Sequence, residues 1–282
     1  MKSDHLGKAA IEKKGWLLSH RFLLLRRLTQ CLILLLFLLG PMAGVWIIQG
    51  NLSSSLLLHT IPFSDPFILA QSVTAGYIPI FQALLGMLIV VLFYLVVGGR
   101  VFCSWVCPVN LITDAAAWCR RQLKLRKEKV LSRHWRYWLL GMVMILPIFT
   151  GVMSWELVNP VSAFHRGLFF GMGLGWILFL MIFIFDFLAV ENGWCGHLCP
   201  MGAFYSLINR FSLIKVAAIN RKNCTNCLDC FDVCPEPDVL KDPVHGSEDT
   251  LIKDISCTNC GRCIDVCAED VFIITTVLHG KK

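Results

Sequence analysis

Four long runs of apolar residues alternate with polar connections over the first two thirds of the chain. A helix rises about 1.5 Å per residue, so about 20 apolar residues are needed to cross the roughly 30 Å hydrocarbon core of a bilayer. The third run is the shortest of the four and contains Pro147. The pattern predicts four transmembrane helices, over residues 28–48, 78–97, 137–153 and 168–190.

The composition supports a membrane protein that carries a small soluble part. Of the 282 residues, 56% are hydrophobic and 16% are charged, and the mean hydropathy is +0.65. A soluble domain is usually less apolar and more charged than this. The first run is longer than the apolar region of a signal peptide and lacks a small-residue cleavage site, so we expect it to be retained as an anchor.

Basic residues are distributed unevenly among the connections. Seven Lys or Arg residues precede the first run and nine lie between the second and third runs. Residues 49–77 contain none, and residues 154–167 contain only Arg166. The positive-inside rule then places both termini in the cytoplasm of a bacterium, with the spans in its inner membrane. This orientation signal accounts for most of the net charge of +7, and no nucleic-acid-binding motif accompanies it.

Eight cysteines near the C-terminus form two runs with the same C-x2-C-x2-C-x3-C spacing. In bacterial two-cluster ferredoxins the fourth cysteine of each run ligates the other cluster. A zinc site built from CxxC pairs would leave thiolates over in each run. Pro235 follows the first run, whereas Ala268 follows the second. The spacing predicts two [4Fe–4S] clusters, one held by Cys224, Cys227, Cys230 and Cys267, the other by Cys257, Cys260, Cys263 and Cys234.

A second cysteine motif, C-x3-C-P, occurs twice. Cys103 and Cys107 follow the second apolar run, Cys195 and Cys199 follow the fourth, and an amphipathic segment succeeds each pair. The chain therefore contains an internal repeat of two helices and a cysteine corner. All four thiols could converge on one site, as ligands of a further cluster or a single metal ion, or each pair could oxidise reversibly. The alternative is that they are small buried residues at helix ends.

Ionisable residues beside the apolar runs are candidates for quinone chemistry, which needs a proton acceptor near the lipid. On the outer side these are His59, Asp65, Glu156 and His165, each of which taken alone fits a solvated loop residue better. Asp186 lies near the cytoplasmic end of the fourth run, and His197 lies inside the second corner. The sequence contains no P-loop, dinucleotide fingerprint, haem-attachment motif or Ser/His/Asp arrangement.

The four apolar runs, the corners at residues 103–108 and 195–200, and the terminal two-cluster pattern together resemble the NapH family. These are membrane-bound ferredoxin-type quinol dehydrogenase subunits of the periplasmic nitrate reductase system. The resemblance covers nearly the whole chain. It implies electron transfer from membrane quinol, with a periplasmic ferredoxin-type partner similar to NapG, toward a nitrate reductase. It also implies that the eight terminal cysteines are cluster ligands and that the corners are functional.

Clusters in the cytoplasm and an acceptor in the periplasm would require electrons to cross the bilayer, unless the clusters serve another step. The alternative to electron transfer is a non-catalytic role. Related architecture occurs in proteins similar to NosR, of nitrous oxide reduction, and to CcoG, of cytochrome oxidase assembly. On that hypothesis the corners reduce or deliver a metal ion during assembly of a respiratory complex, and quinol does not reduce the clusters.

We therefore expect an all-α membrane domain with four spans in residues 1–215, followed by a small α+β ferredoxin domain in residues 216–282. A domain of about 65 residues cannot bury a large apolar core, so its two clusters should also stabilise its fold.

Overall fold

The computed structural model of the protein describes residues 6–125, 131–171, 173, 175–246 and 250–277. Several sequence predictions fall partly outside the described residues. They concern the basic residues Lys2, Arg126, Lys127 and Lys129, positions 172 and 174 of the fourth apolar run, and residues 278–282 of the predicted ferredoxin domain.

The elements follow one another in a simple order. The N-terminal part contains α1 (Lys8–Lys14), α2 (Trp16–Ser19), α3 (Arg21–Ala43), β1 (Ile48–Gly50), β2 (Ser54–Leu57), β3 (Ile61–Ser64) and α4 (Pro66–Thr74). The central part contains α5 (Phe81–Val97), α6 (Val109–Gln122), α7 (Trp135–Thr150), α8 (Ser154–Val158), α9 (Pro160–Phe170), α10 (Gly175–Leu188) and α11 (Pro200–Asn209). The C-terminal part contains β4 (Ile214–Ala217), α12 (Asp229–Val233), α13 (Lys241–His245), α14 (Arg262–Val266) and β5 (Ile273–Thr276), with 3₁₀ turns at Arg221–Asn223 and Pro237–Leu240.

The helical part is not purely helical, so the all-α prediction is wrong for residues 48–64. Helix α3 ends at Ala43 because Gly44 adopts a positive φ of 71°. The chain then forms a three-stranded antiparallel sheet in the order β1-β2-β3. Asn51 stabilises the first hairpin, since its side-chain oxygen accepts two backbone N–H groups at 2.9 and 2.8 Å. Ile48, the predicted end of the first apolar run, lies in this sheet.

The fourth predicted run is divided between two helices. Its first residues belong to α9, which ends at Phe170, and most of the rest forms α10 from Gly175 onward. Gly171 has a φ of 88°, a conformation that a residue with a side chain rarely adopts, and it interrupts the helix. Helix α9 is therefore a separate half-length helix that packs against α10.

Among the described residues, α3 is the one helix that is long and apolar enough by itself to cross a bilayer. Three shorter apolar helices, α5, α7 and α10, contain 17, 16 and 14 residues. At 1.5 Å per residue, the shortest is about 21 Å long. All three expose large apolar side chains, among them Leu88, Met142 and Met181. Apolar surface on this scale usually contacts a membrane or another protein.

The C-terminal part is a small α+β unit. Strands β4 and β5 pair antiparallel, and the register joins Ile214 to Thr276 and Ala217 to Ile273. Its apolar core packs around Phe272 and includes cysteines of both terminal runs. Strand β4 begins two residues before the predicted domain boundary at residue 216, so that boundary cuts through the strand.

A buried ionic cluster joins the C-terminal unit to the helical part. One carboxylate oxygen of Glu236 accepts hydrogen bonds from Arg100 and Arg136, both at 3.1 Å. The other oxygen pairs with Arg133 at 3.1 Å. Glu236 is 3% exposed, and Arg100 and Arg136 are each 1% exposed. Both arginines also donate to Ser256, which lies just before the second cysteine run.

The N-terminal helices contact the same end of the molecule. Asp114 of α6 pairs with Arg27 of α3 and with Arg262 of α14. Asp265 accepts the backbone N–H of Phe22 at 3.2 Å. We call this end the ferredoxin face, and we call the end with β1–β3, α4, α8 and α9 the sheet face. The start of α3 and the C-terminal unit thus share one face, as the charge distribution predicts for the two termini.

Replacing Glu236 with Gln should lower the free energy of unfolding by about 3 kcal/mol or more, because Arg100 and Arg136 would remain buried without their counter-charge. Asp238→Asn is the matched control. Asp238 is a half-exposed partner of Arg133, so its loss should cost less than about 1 kcal/mol. Circular dichroism, recorded during unfolding in detergent, measures the free energy of unfolding of both variants. Equal small losses would show that the Glu236 cluster does not hold the two parts together.

Candidate functional site

Each cysteine corner is built on one turn of π-helix. In the first turn, Phe102–Val106, the backbone N–H of Cys107 donates to the carbonyl of Phe102 at 2.9 Å. In the second, Trp194–Leu198, the N–H of Cys199 donates to the carbonyl of Trp194 at 2.8 Å. Such turns are rare and occur frequently at functional sites. The two corners therefore have matching backbone geometry.

The four corner cysteines converge. Cys103, Cys107, Cys195 and Cys199 line a single cavity, together with Phe102, Trp194 and residues of α11. The opposite wall comes from the sheet face, where Trp155 of α8 and Pro160 and Val161 of α9 complete the lining. The convergence that the repeat suggested is thus present, although the sequence did not indicate that the sheet face supplies one wall.

A half-length helix of the sheet face, α9, begins beside this cavity, with Asn159 as its N-cap and Pro160 as its first residue. Helix α4 starts in the same way with Asp65 and Pro66. The ring of Phe67, in the first turn of α4, packs on that of Phe204 in α11 at 5.4 Å. A helix N-terminus carries partial positive charge and favours a nearby anion. The start of α9 therefore suits a negatively charged group between the corners.

Asp65 is buried at this junction, and the expectation that it is a solvated loop residue is wrong. Its carboxylate accepts the backbone N–H of Phe67 at 2.8 Å, and the side chain of Tyr205 of α11 lies close to it. Burial raises the pKa of Asp65 to about 7, although this hydrogen bond opposes the shift. The neighbouring phenol of Tyr94 stacks edge-to-face on Tyr205 at 5.2 Å.

A second cavity connects the corners to the C-terminal unit. Cys103 and Cys195 lie on one side of it, and Pro235, Glu236 and Thr258 lie on the other. A third cavity, inside the C-terminal unit, shares these last three residues as part of its lining. The second cavity therefore shares one wall with the corner site and another with the interior of the C-terminal unit.

The third cavity contains cysteines of both terminal runs. Cys234, from the first run, lines it together with Cys257, Cys260 and Cys263 of the second. Conversely, Cys267 lies within electrostatic reach of Cys230 of the first run. Cys227 is exposed, whereas Cys260 and Cys263 are buried. The structure brings together the two mixed sets that the spacing predicts, and ligation by these sets stays a prediction.

The charges around these cavities suit anionic iron–sulfur clusters. Among the residues that the structure describes, buried guanidinium nitrogens of Arg26, Arg100, Arg136 and Arg262 have no hydrogen-bond partner. Arg26 and Arg262 both lie within electrostatic reach of Cys260. Glu236 and Asp114 each pair with three arginines, so positive charge exceeds negative charge in this region. Thiolates bound to a cluster would offset the excess.

The corner thiols are not suited to act as free nucleophiles. Burial raises the pKa of Cys103, Cys107 and Cys195 well above the usual range of a thiol, and it raises the pKa of Cys199 to about 12. Thiol–disulfide exchange needs a thiolate, so a redox role as a free dithiol is disfavoured. A bound metal displaces the thiol proton and removes this difficulty.

The cysteines do not form a site for a single metal ion. Within the described ranges, no three Cys, His, Asp or Glu side chains form a group that could hold a metal ion. A tetrahedral zinc–thiolate site, with bonds of about 2.3 Å, needs sulfur atoms about 3.8 Å apart. In a four-iron cubane each thiolate binds a different iron, so ligation of a cluster does not require the four sulfur atoms to share one ion.

The remaining candidates lie in different environments. His59 is exposed, and the Glu156 carboxylate pairs with Arg166. His165 is buried among aromatic rings and is not a solvated loop residue. Asp186 is buried and accepts the backbone N–H of Trp194 at 2.8 Å, so it fixes the start of the second corner. His197 lies in the second corner turn but does not line the cavity of the four cysteines.

Sequence reasoning missed several residues of the site. Arg100 and Arg136 counted only as orientation signals, yet they are buried against Glu236. The Asp65–Pro66 and Asn159–Pro160 dipeptides also carried information, because an N-cap followed by proline is a helix-start signal. Their occurrence once in each half of the chain extends the repeat to the half-length helices.

Comparison with known proteins agrees with this geometry. Residues 80–126 and 172–217, which contain both corners, match the family described as a 4Fe-4S binding domain. Residues 217–268 match the family described as a 4Fe-4S dicluster domain. No solved structure matches the chain. The fold and these matches define a ferredoxin-type electron-transfer protein with an apolar helical part.

Relatives at high identity give the family. The chain is 52% identical over 244 residues to the ferredoxin-type protein NapH of Haemophilus influenzae, covering 86% of this chain and 85% of the relative. It is 49% identical over 271 residues to NapH of Escherichia coli, covering 96% and 94%. It is 48% identical over 242 residues to the methylamine utilization ferredoxin-type protein MauN of Methylorubrum extorquens, covering 86% and 84%. The chain belongs to the NapH family.

Replacing Cys234 with Ala should mainly damage the cluster held by Cys257, Cys260 and Cys263, because the Cys234 side chain lines their cavity. EPR of the reduced protein, with iron and sulfide analysis, measures which cluster is lost. Cys267→Ala is the matched variant and should damage the other cluster. If each variant instead loses the cluster of its own run, the predicted exchange of ligands is wrong.

Proposed function

We propose that this protein oxidises quinol in the bacterial inner membrane and passes the electrons through iron–sulfur clusters toward a periplasmic nitrate reductase. The observation that carries the proposal is the alignment of three cavities. The cavity of the four corner cysteines begins at helix α9 of the sheet face, and shared walls join it to the cavity of Cys234 and the second terminal run. Short separations between redox centres of this kind are what electron transfer requires.

In this proposal α3, α5, α7 and α10 all span the membrane. The exposed apolar side chains of the three shorter helices would face lipid, and a bilayer adapts to a short span by local thinning. The ferredoxin face is cytoplasmic, as the basic residues indicate, and the sheet face is periplasmic. The buried ionic cluster around Glu236 then keeps the C-terminal unit against the inner surface of the membrane.

The corner site is proposed to hold a third [4Fe–4S] cluster, with Cys103, Cys107, Cys195 and Cys199 as ligands. Three observations support it: the convergence of four thiols on one cavity, the lack of a group within the described ranges that could hold a single metal ion, and the match of both corners to a 4Fe-4S binding family. When bound, such clusters supply one-electron redox chemistry. The N-terminus of α9 would stabilise its negative charge.

The exposure of the cysteines suggests a direction of electron transfer within the C-terminal unit. At the site of Cys257, Cys260 and Cys263 the last two cysteines are buried, and its cavity shares lining residues with the cavity that reaches the corners. The site of Cys224, Cys227 and Cys230 reaches the surface at Cys227. A partner in the cytoplasm could therefore exchange electrons at the surface site, whereas delivery to the periplasm must pass through the corner site, which adjoins the sheet face.

The terminal acceptor is inferred from the NapH relatives and from a partner similar to NapG. MauN relatives match at nearly the same identity, and their name refers to methylamine utilization. The step common to both groups would be the transfer of electrons between membrane quinol and the clusters. This makes quinol oxidation the part of the proposal to test first, before the acceptor.

Replacing Cys103 and Cys107 together with Ser should remove about one third of the bound iron and abolish reduction by quinol, while the two terminal clusters still assemble. Ser nearly matches Cys in size, so the packing change is small, but it is a poor ligand for iron. The double variant with Cys195→Ser and Cys199→Ser should show the same loss of iron and of quinol reduction. Cys119→Ser is the control outside the corners. Unchanged iron content and wild-type quinol reduction in both double variants would show that the corners are structural and hold no cluster.

Reporter fusions test the orientation. Fusions at residues 60 and 160 should report the periplasm, and fusions at residues 125 and 282 should report the cytoplasm, because the basic connections stay inside. A periplasmic C-terminal reporter would contradict the proposed orientation.

A further inference from the structure

The carboxylate of Asp65 is more than a helix cap. Asp65 and Asn159 occupy the same position in the two halves of the repeat, and each caps a half-length helix that begins with proline. The Asn159 side chain caps α9 with a neutral oxygen, accepting the N–H of Val161 at 3.0 Å. A neutral amide is therefore sufficient for this cap, and the ionisable group at residue 65 calls for another explanation.

Asp65 lies among apolar and aromatic groups rather than cations. Its carboxylate forms no ion pair within the described part of the chain. The ionisable groups that face it are Tyr205 of α11, Tyr94 of α5, Glu156 of α8 and Cys103 of the first corner. The aromatic ring of Phe67 lies between Asp65 and the rings of Trp155 and Phe204. An ionisable group buried in such surroundings without a counter-charge is usually retained for function.

A row of polar side chains leads from this region to the surface of the sheet face. The Ser53 carbonyl accepts the backbone N–H of Asp65 at 2.8 Å, and the Ser53 hydroxyl lies 3.4 Å from that of Ser162. Asn159 donates to Ser162 and to the carboxylate of Glu156, both at 3.1 Å. Glu156 in turn pairs with Arg166, which is exposed. The row starts at the backbone of Asp65 rather than at its carboxylate, and it shows that polar groups extend from this region to the sheet face.

We propose that Asp65 is the residue that accepts the protons of quinol, beside the side chain of Tyr205, and that it releases them to water at the sheet face. The inference rests on the proposed quinol oxidation. Asp65 also lies within electrostatic reach of Cys103, so the proton acceptor is close to the first centre that would take the electrons.

The step balances. Oxidation of one quinol to quinone breaks two O–H bonds and releases two electrons and two protons. The electrons leave by the iron–sulfur centres that the proposed function assigns to the corners and the C-terminal unit. The carboxylate of Asp65 takes the protons in turn and releases the first to water at the sheet face before it accepts the second.

The test uses the full-length protein in detergent, with duroquinol as the quinol. Asp65→Asn keeps an oxygen that can cap α4, as Asn159 does for α9, but it cannot accept a proton. We expect its clusters to be reduced by duroquinol about 100-fold more slowly than those of the wild type. Reduction by dithionite, the EPR spectrum and the thermal unfolding temperature should be unchanged. Infrared difference spectra after duroquinol should show a protonated carboxyl band in the wild type that the variant lacks.

Asp238→Asn is the control, because Asp238 is a half-exposed carboxylate of the C-terminal unit that pairs with Arg133. It should keep the wild-type rate and the infrared band. Wild-type reduction by duroquinol that survives Asp65→Asn, or that is lost equally in Asp238→Asn, would overturn the inference alone. Wild-type clusters that accept electrons from dithionite but not from duroquinol would overturn the proposed function and the inference with it.

Discussion

The contact on which the architecture depends is the buried carboxylate of Glu236 between Arg100 and Arg136. It fixes the loop after the first terminal cysteine run against the two corners, since the same arginines also donate to the carbonyls of Cys195 and Gly196. A buried ion pair is a weak source of stability compared with apolar packing, but breaking it is costly. Its consequence here is positional: Glu236 lines both the cavity of the terminal cysteines and the cavity that connects it to the corners.

The excess of buried positive charge also has a physical explanation. Arg26 and Arg262 lie near Cys260, and both guanidinium groups retain nitrogens without a hydrogen-bond partner in the part of the chain described. Clusters with thiolate ligands would offset this charge, and the positive surroundings would favour their reduced, more negative state. Binding of the clusters and docking of the C-terminal unit should therefore stabilise each other.

Local signals predicted the chemistry well and the tertiary arrangement poorly. Cysteine spacing, a property of a few neighbouring residues, identified the two mixed sets of cysteines and the paired corners. The sheet at residues 48–64 was missed because it follows from the turn at Asn51 within an apolar region. Asp65 looked like a loop residue because its burial depends on α5 and α11, which lie far away in sequence. The roles of Arg100 and Arg136 could not be seen for the same reason.

The central claim is that three neighbouring iron–sulfur centres form one route for electrons from quinol. EPR of the full-length protein, reduced stepwise with duroquinol, tests it most directly. The account predicts three cluster signals, with magnetic coupling between the corner centre and the centre held by Cys257, Cys260 and Cys263. Two cluster signals, coupled only to each other and insensitive to quinol, would contradict it.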